Sequence, residues 1–284
     1  WINNAYLLVF AVFLITFGRL GDEVGRKKMF MTGLVVFTAG SLLNGISQNV
    51  NQLIIFRALQ GLGGAMMMPA TISIISATFE KKERGIAMGI WGAVAGLGLA
   101  LGPIIGGDLT ELGLGVHLNS FFHVSQFWRY VFFVNLPVGV FAFFMSWFII
   151  RESRDNEATH NYDIVGILLS GLSVFFLTFG FIEGPKFGWW KVAQDFHLFG
   201  QHVHFGSISV IPALFALAVI FAVVFVSWER RVKKDPLVDL NLFRLRSFGF
   251  ASIAALVVAL GEFGMLFALP LFVQGALGYS ALDT

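Results

Sequence analysis

Charged residues in this chain come in short clusters, and between the clusters run stretches that are almost entirely apolar. Eight such stretches lie at roughly 1–18, 28–47, 51–78, 85–109, 128–150, 164–183, 207–228 and 248–273. About 20 apolar residues, rising about 1.5 Å each as a helix, are enough to cross the hydrocarbon core of a bilayer. Each stretch therefore predicts a spanning helix, the first reading as truncated. The runs are continuous rather than alternating, and they are too long for barrel strands of about 10 residues. A helix also satisfies its own backbone, which lipid cannot do. The predicted fold class is an all-α polytopic membrane protein.

The positive residues set the orientation. The segments 18–28, 79–85, 151–163 and 229–247 hold 15 of the 19 Lys and Arg. The alternate segments hold three: Arg129, Lys186 and Lys191. The last base, Arg57, falls inside a span. Strict alternation supports both the eight-span count and a cytoplasmic location for the base-rich loops. The first span then runs from outside to inside.

Composition agrees. The chain is 57% hydrophobic and 13% charged, against about 25% charged in an ordinary soluble domain, which leaves too little charge to cover a soluble surface. A formal charge of +2 does not call for nucleic acid. Cys is absent, so disulfide and thiol chemistry are excluded. Trp1 opens inside an apolar run, and neither an initiator Met nor a signal peptide is recognisable; the chain reads as a fragment cut at both ends.

One cluster holds more than topology requires. "GRLGDEVGRKKM", residues 18–29, combines four bases with two acids and three glycines. A positive-inside anchor accounts for the bases but not for Asp22 or the glycines. The stretch resembles the signature of the major facilitator superfamily between its second and third helices, with Gly18, Leu20, Asp22, Gly25, Arg26 and Lys27 in place. Further stretches agree in order. "RALQGLGGAMMMP" resembles the fourth-helix motif through Arg57, Gln60 and Gly61. "GLGLALGPIIGG" resembles the fifth-helix antiporter motif through Gly98, Gly102, Pro103, Gly106 and Gly107. "WRYVFFVNLPVG" resembles the start of the sixth helix in the fourteen-helix drug:proton antiporter branch. The resemblance covers essentially the whole chain and identifies it with about helices two to nine of fourteen. It implies a major facilitator helical bundle: a transporter half at 1–150 lacking its first helix, two extra linking helices at 151–229 with an outer loop at 184–206, and a cytoplasmic linker with the first helix of the second half at 230–284.

The resemblance also implies roles. In the family, the Asp and Arg of the loop join a charge network that clamps the two halves on the cytoplasmic side and favours the outward-open state. From the residues alone, Asp22 can accept from Arg26 or from a helix N-terminus, and a solvated basic turn is the plain alternative. Gly98, Gly102 and Gly106 recur every four residues and form one smooth stripe that lets helices approach; Pro103 removes a backbone donor. Residue chemistry takes that stretch no further than helix packing, and the antiporter role comes from the resemblance.

Two charges stand inside spans, where ionisable groups are costly and usually functional. Arg57 is roughly 9 Å below the outer end of its helix and Glu262 roughly 15 Å short of Val273, at about 1.5 Å per residue. Both are in the outer half of the bilayer, and in the fold implied by the resemblance both helices line the central cavity. Glu262 is a candidate for proton coupling, with a lumen-facing or Arg-paired structural acid as the alternative. For Arg57, a proton-relay role stands beside a packing and hydrogen-bonding role. His197, His202 and His204 share the outer loop with Trp189 and Trp190; no metal site is expected, and the Trp pair reads as an interfacial belt.

These readings converge on a secondary active transporter that exports amphipathic small molecules or drugs by alternating access, driven by the proton gradient with no cofactor. The expected setting is the plasma membrane, multi-pass, with lipid, substrate and protons as partners, no nucleic acid and a monomeric state. A same-fold exporter of one metabolite, such as a siderophore or amino acid, and a non-transporting membrane sensor are the alternatives. A membrane enzyme would need clustered His, which are scattered here, and no Gly-rich Lys-Ser/Thr nucleotide loop is present.

Overall fold

The computed structural model describes residues 1–111, 127–154, 163–198, 201–203, 207–232 and 236–279; the side chains of Pro103, Thr110, Glu111, His197, Leu198, Gln201–Val203, Leu266 and Phe267 are also outside the description. The order of elements is α1 (Ile2–Val24), α2 (Arg26–Ile46), α3 (Val50–Thr78), α4 (Arg84–Glu111), a 3₁₀ turn (Phe127–Arg129), α5 (Tyr130–Phe133), α6 (Asn135–Ile149), α7 (Ile164–Phe187), a two-stranded hairpin of β1 (Phe196–Leu198) and β2 (Gln201–Val203), α8 (Val210–Glu229), a 3₁₀ turn (Leu240–Arg244) and α9 (Arg246–Leu277). Among the described residues, seven helical segments are long and apolar enough to cross a membrane, and α1 occupies the remaining stretch expected from the apolar pattern.

Helix ends follow local chemistry. Asn49 caps α3 by accepting from the Gln52 backbone N–H at 2.9 Å, and the Gln52 side chain returns a bond to the Gln48 N–H. Asp163 caps α7 and Ser209 caps α8 in the same way. Between α1 and α2 the chain turns at Gly25, whose φ of 126° suits only glycine.

The chain forms two compact units, Trp1–Met88 with Phe132–Val238, and Gly89–Val131 with Asp239–Thr284. In the first, α1 and α2 both lie along α3, α6 packs on α2, α7 packs on α1, and α8 packs on α7. The second holds most of α4 and all of α9; there Phe243 of the 3₁₀ turn meets Phe248 edge-on at 5.1 Å.

The first unit buries polar and small residues along one seam and an apolar cluster of Phe187, Ile211 and Leu214 elsewhere. Its α2–α3 seam is built on glycine. A Cβ at Gly33 would stand 2.9 Å from the Gly63 carbonyl, one at Gly63 would run into the Phe37 backbone, and one at Gly40 would stand 3.0 Å from the Gln60 backbone. Gly61 leaves the same kind of room for the Tyr6 backbone of α1. Large apolar side chains point outward instead, Phe148 being 76% exposed. Such a surface suits lipid, in which helices associate by close packing and polar contacts rather than by hydrophobic drive. The α7–α8 pair packs by aromatic contact: Phe175 stacks on Phe179, and Phe176 on Phe221 across the pair.

The seam predicts an asymmetry among glycines. Gly63→Ala should lower stability by about 1–3 kcal/mol through overpacking. Gly89→Ala in α4, where an added Cβ would meet nothing within 4 Å among the described residues, should be neutral or slightly stabilising. Thermal unfolding midpoints of the two detergent-solubilised variants compare them directly.

Candidate functional site

Two polar constellations occur in the first unit. The first is the turn between α1 and α2. Arg26, the first residue of α2, donates from Nε to Asp22 Oδ1 near the end of α1 at 2.7 Å, a charge-assisted pair across the Gly25 turn. Arg19 pairs with Glu23 at 3.3 Å, the Glu23 side chain being almost fully buried. Of the two partners open to Asp22, the structure selects Arg26.

The N-terminus of α2 is satisfied from elsewhere. The backbone N–H groups of Lys27 and Lys28 donate to Glu152 Oε1 and Oε2 at 3.1 and 3.3 Å, and the Arg26 N–H donates to the Ser153 carbonyl at 3.0 Å. A carboxylate at a helix N-terminus answers both the orphan donors and the positive end of the dipole. Gly25 makes this possible, since a Cβ there would stand 2.7–2.9 Å from the Glu152 carboxylate. Lys27 reaches the Trp147 carbonyl at 2.7 Å and lies over its ring. The segment after α6 thus braces the turn. Sequence reasoning missed Glu152 and Trp147. An available signal was "RES" at 151–153, an acid kept among bases as Asp22 is.

The second constellation surrounds Arg57 on α3. Its guanidinium donates to the Ile2 carbonyl (3.3 Å), Gln60 Oε1 (2.8 Å) and Asn3 Oδ1 (3.3 Å). It lies over the Tyr6 ring at 4.6 Å and the Phe132 ring at 5.8 Å. Gln60, 2% exposed, is the hub: its Oε1 also accepts from Asn44 Nδ2 at 3.0 Å, and its Nε2 donates to Ser41 Oγ at 2.5 Å. Asn135 of α6 donates to the same Ser41 oxygen at 3.1 Å. One amide therefore links α2, α3 and α6 and aims its oxygen at Arg57. Since guanidinium can only donate, the amide orientation is determined. All the polar partners of Arg57 among the described residues are neutral oxygens, so its charge is held in place without being cancelled. Asn44, Ser41 and Asn135 were also missed; their signal is small polar residues within otherwise apolar spans.

The other expected site residues are not brought to this cluster. Gly18 packs against Pro69, 3.4 Å from where its Cβ would stand. A Cβ at Gly98, Gly102 or Gly106 of α4 would meet nothing within 4 Å among the described residues. Gly107 is buried, and the Pro103 side chain is outside the description. Glu262, on α9 in the second unit, is exposed. Among the described residues no group of three or more His, Asp or Glu could hold a metal ion; His117, His123, His160 and His204 are outside them.

The whole sequence matches the Major Facilitator Superfamily over residues 1–284. The chain belongs to the Major Facilitator Superfamily. It is 34% identical over 286 residues to the multidrug transporter protein MdtP of Bacillus subtilis, covering 100% of this chain and 47% of that protein. It is 33% identical over 284 residues to the tetracenomycin C resistance and export protein of Streptomyces glaucescens, with 100% and 47% covered. An uncharacterised MFS-type transporter of Mycobacterium tuberculosis, Rv1250, is 32% identical over 288 residues, with 100% and 43% covered. The chain thus spans about half the length of these relatives.

The Glu152 brace yields a direct expectation. Glu152→Ala should strip the α2 N-terminus of its side-chain acceptor and cost about 1 kcal/mol. Hydrogen exchange at the amides of residues 26–29 should speed up, while amides around Gln60 stay protected. Unchanged exchange at 26–29 would remove Glu152 from the turn.

Proposed function

We propose that this superfamily member is a proton-coupled exporter of amphipathic small molecules or drugs, working by alternating access in the plasma membrane as a monomer. The observation that carries the reading is Arg57: a cation fixed by Gln60, Asn3 and the Ile2 carbonyl, against aromatic faces, with only neutral oxygens as polar partners among the described residues. Such a charge attracts a titrating carboxylate or an anionic group and responds when that group gains a proton. The printed names of two relatives, a multidrug transporter and a tetracenomycin C resistance and export protein, support export of bulky organic compounds.

In this reading residues 1–150 belong to the N-terminal transporter half, 151–229 supply the two linking helices, and 230–284 begin the second half. The base-rich loops face the cytoplasm. Asp22 and Arg26, held by the Glu152 brace, form the near side of a cytoplasmic clamp that stabilises one of two states. The glycine stripe at 98, 102 and 106 gives α4 a face that another helix can approach closely. Glu262, an acid inside the span formed by α9, is the candidate to carry the transported proton.

Efflux from energised membrane vesicles tests the proposal. Glu262→Gln keeps size and hydrogen bonding but cannot titrate; proton-driven efflux should be lost while substrate binding and protein level persist. Full pH-dependent efflux by this variant would remove Glu262 from coupling. Asp22→Asn should slow transport at least about tenfold, equivalent to about 1.4 kcal/mol on the rate-limiting step, at normal membrane level. Wild-type transport by that variant would reduce the loop to a topological anchor.

A further inference from the structure

At the opposite end of the first unit from the Arg57 cluster, the start of α7 and the end of α8 bring two acids together. Asp163 uses one oxygen fully. Its Oδ1 accepts from the Gly166 backbone N–H at 2.9 Å as the α7 cap, and from Trp228 Nε1 at 2.8 Å. Its Oδ2 is buried with no donor. Glu229, the last residue of α8, is 4% exposed, and neither of its carboxyl oxygens meets a donor at hydrogen-bonding geometry. The Leu237 and Val238 backbones approach it from the following segment.

The two acids aim at the same point. A Cβ on Gly166 would overlap Asp163 Oδ2 and stand 2.9 Å from Glu229 Oε1. Glycine at 166 thus leaves open the space in which the two carboxyl groups face each other. No cation reaches them among the described residues. Arg230 and Arg231, next along the chain, form no ion pair with either acid. On α1, which also packs on α7, Arg19 is paired with Glu23, and Asp22 is paired with Arg26 of α2. Asp239 further on accepts from Asn241. Lys233, Lys234 and Asp235 are outside the described residues.

Two facing, buried carboxylates with no cation among the described residues repel each other, and the approach of the Leu237 and Val238 backbones to Glu229 offsets only part of the cost of burying its charge. A single proton resolves both problems, because a neutral acid donates to its neighbour while the neighbour keeps its remaining acceptor sites. We infer that Glu229 holds a proton and donates it to Asp163 Oδ2, forming a proton-locked latch between the α7 cap and the α8 end. Loss of that proton to water leaves two like charges in contact and releases the end of α8 with the segment that follows. By the charge pattern of the loops this latch is on the cytoplasmic face, and it shares no residue with the Arg57 cluster. It makes the linking helices a sensor of cytoplasmic alkalinity. The sign is set by the geometry: closed when Glu229 is neutral at lower pH, open when it ionises at higher pH.

The test uses the full-length protein in lipid nanodiscs, titrated from about pH 5 to about pH 9, a range that covers a buried carboxyl beside a second carboxylate. Infrared spectra at neutral pH should contain a protonated-carboxyl carbonyl band that Glu229→Gln removes. Hydrogen exchange at residues 226–232 and 236–242, corrected for intrinsic base catalysis, should rise about tenfold or more through the titration, the equivalent of one pKa unit of coupling. Glu229→Gln donates an N–H to Asp163 at every pH, so its exchange should stay slow and flat. Asp163→Asn keeps the cap oxygen but offers Glu229 an amide donor, so the infrared band should vanish at neutral pH. Loss of the wild-type pH response in Glu229→Gln, together with loss of the band in both variants, supports the latch. A band unchanged in Glu229→Gln, or a pH response that survives in it, overturns it. The infrared readout needs neither transport nor substrate, so its outcome is independent of the export proposal.

Discussion

In a bilayer an apolar side chain gains nothing by leaving lipid for another helix, and everything else in the first unit follows from that constraint. Helices must be held by close backbone approach and by polar groups that lipid cannot satisfy. The α2–α3 seam uses both. Gly33, Gly40 and Gly63 bring the backbones together, and along the same seam Gln60 reaches Ser41 and Asn44. Large side chains such as Phe141, 66% exposed, are left for the solvent that suits them. Along this seam small and polar side chains are therefore buried, while many large apolar ones face outward.

The same constraint decides how charge is handled. Arg57 is tolerated because three oxygens and two ring faces replace its water. The network reaches Asn135 on α6 through Ser41, so the guanidinium position is set by three helices rather than by its own rotamer. At the basic end the logic is the same with opposite sign. The open N-terminus of α2 lies among Arg26, Lys27 and Lys28, where an anion is stabilised twice, by the bases and by the orphan N–H groups. Glu152 takes that place. A loop motif local in sequence thus depends on a residue more than a hundred positions away.

The aromatic pairing of α7 with α8 is a different solution. Those helices meet through rings: Phe176 stacks on Phe221, and Phe181 of α7 meets Phe215 of α8 edge-on, with Gly180 leaving room for the Phe215 ring. Their polar contacts fall both along the pair, where the Ser173 hydroxyl donates to the Ala218 carbonyl at 3.0 Å, and at its ends: Asp163 with Trp228 at one, and the Trp190 carbonyl with the Ser209 N–H at the other.

Much of this was legible in the order of residues. Length and hydropathy determine helices over the apolar stretches, because lipid admits no other unpaired backbone. The loop motif named Arg26 as one of two partners open to Asp22, and its glycines allowed a tight turn; the structure puts that turn at Gly25, with a φ of 126°, and the pair spans it. Arg57 stood out as a charge inside a span, and Gln60 and Gly61 came with it by resemblance. The partners were not legible. Asn44, Ser41 and Asn135 look like scattered polar residues until three helices bring them to one amide. Glu152 looks like loop charge until it meets the end of α2, and Asp163 and Glu229 look like solvated helix ends until Gly166 lets them face each other. Local chemistry depends on spacings of a few residues, which sequence contains. Which distant groups satisfy a buried donor, cation or carboxyl depends on how helices cross, and that is decided only when the backbones pack.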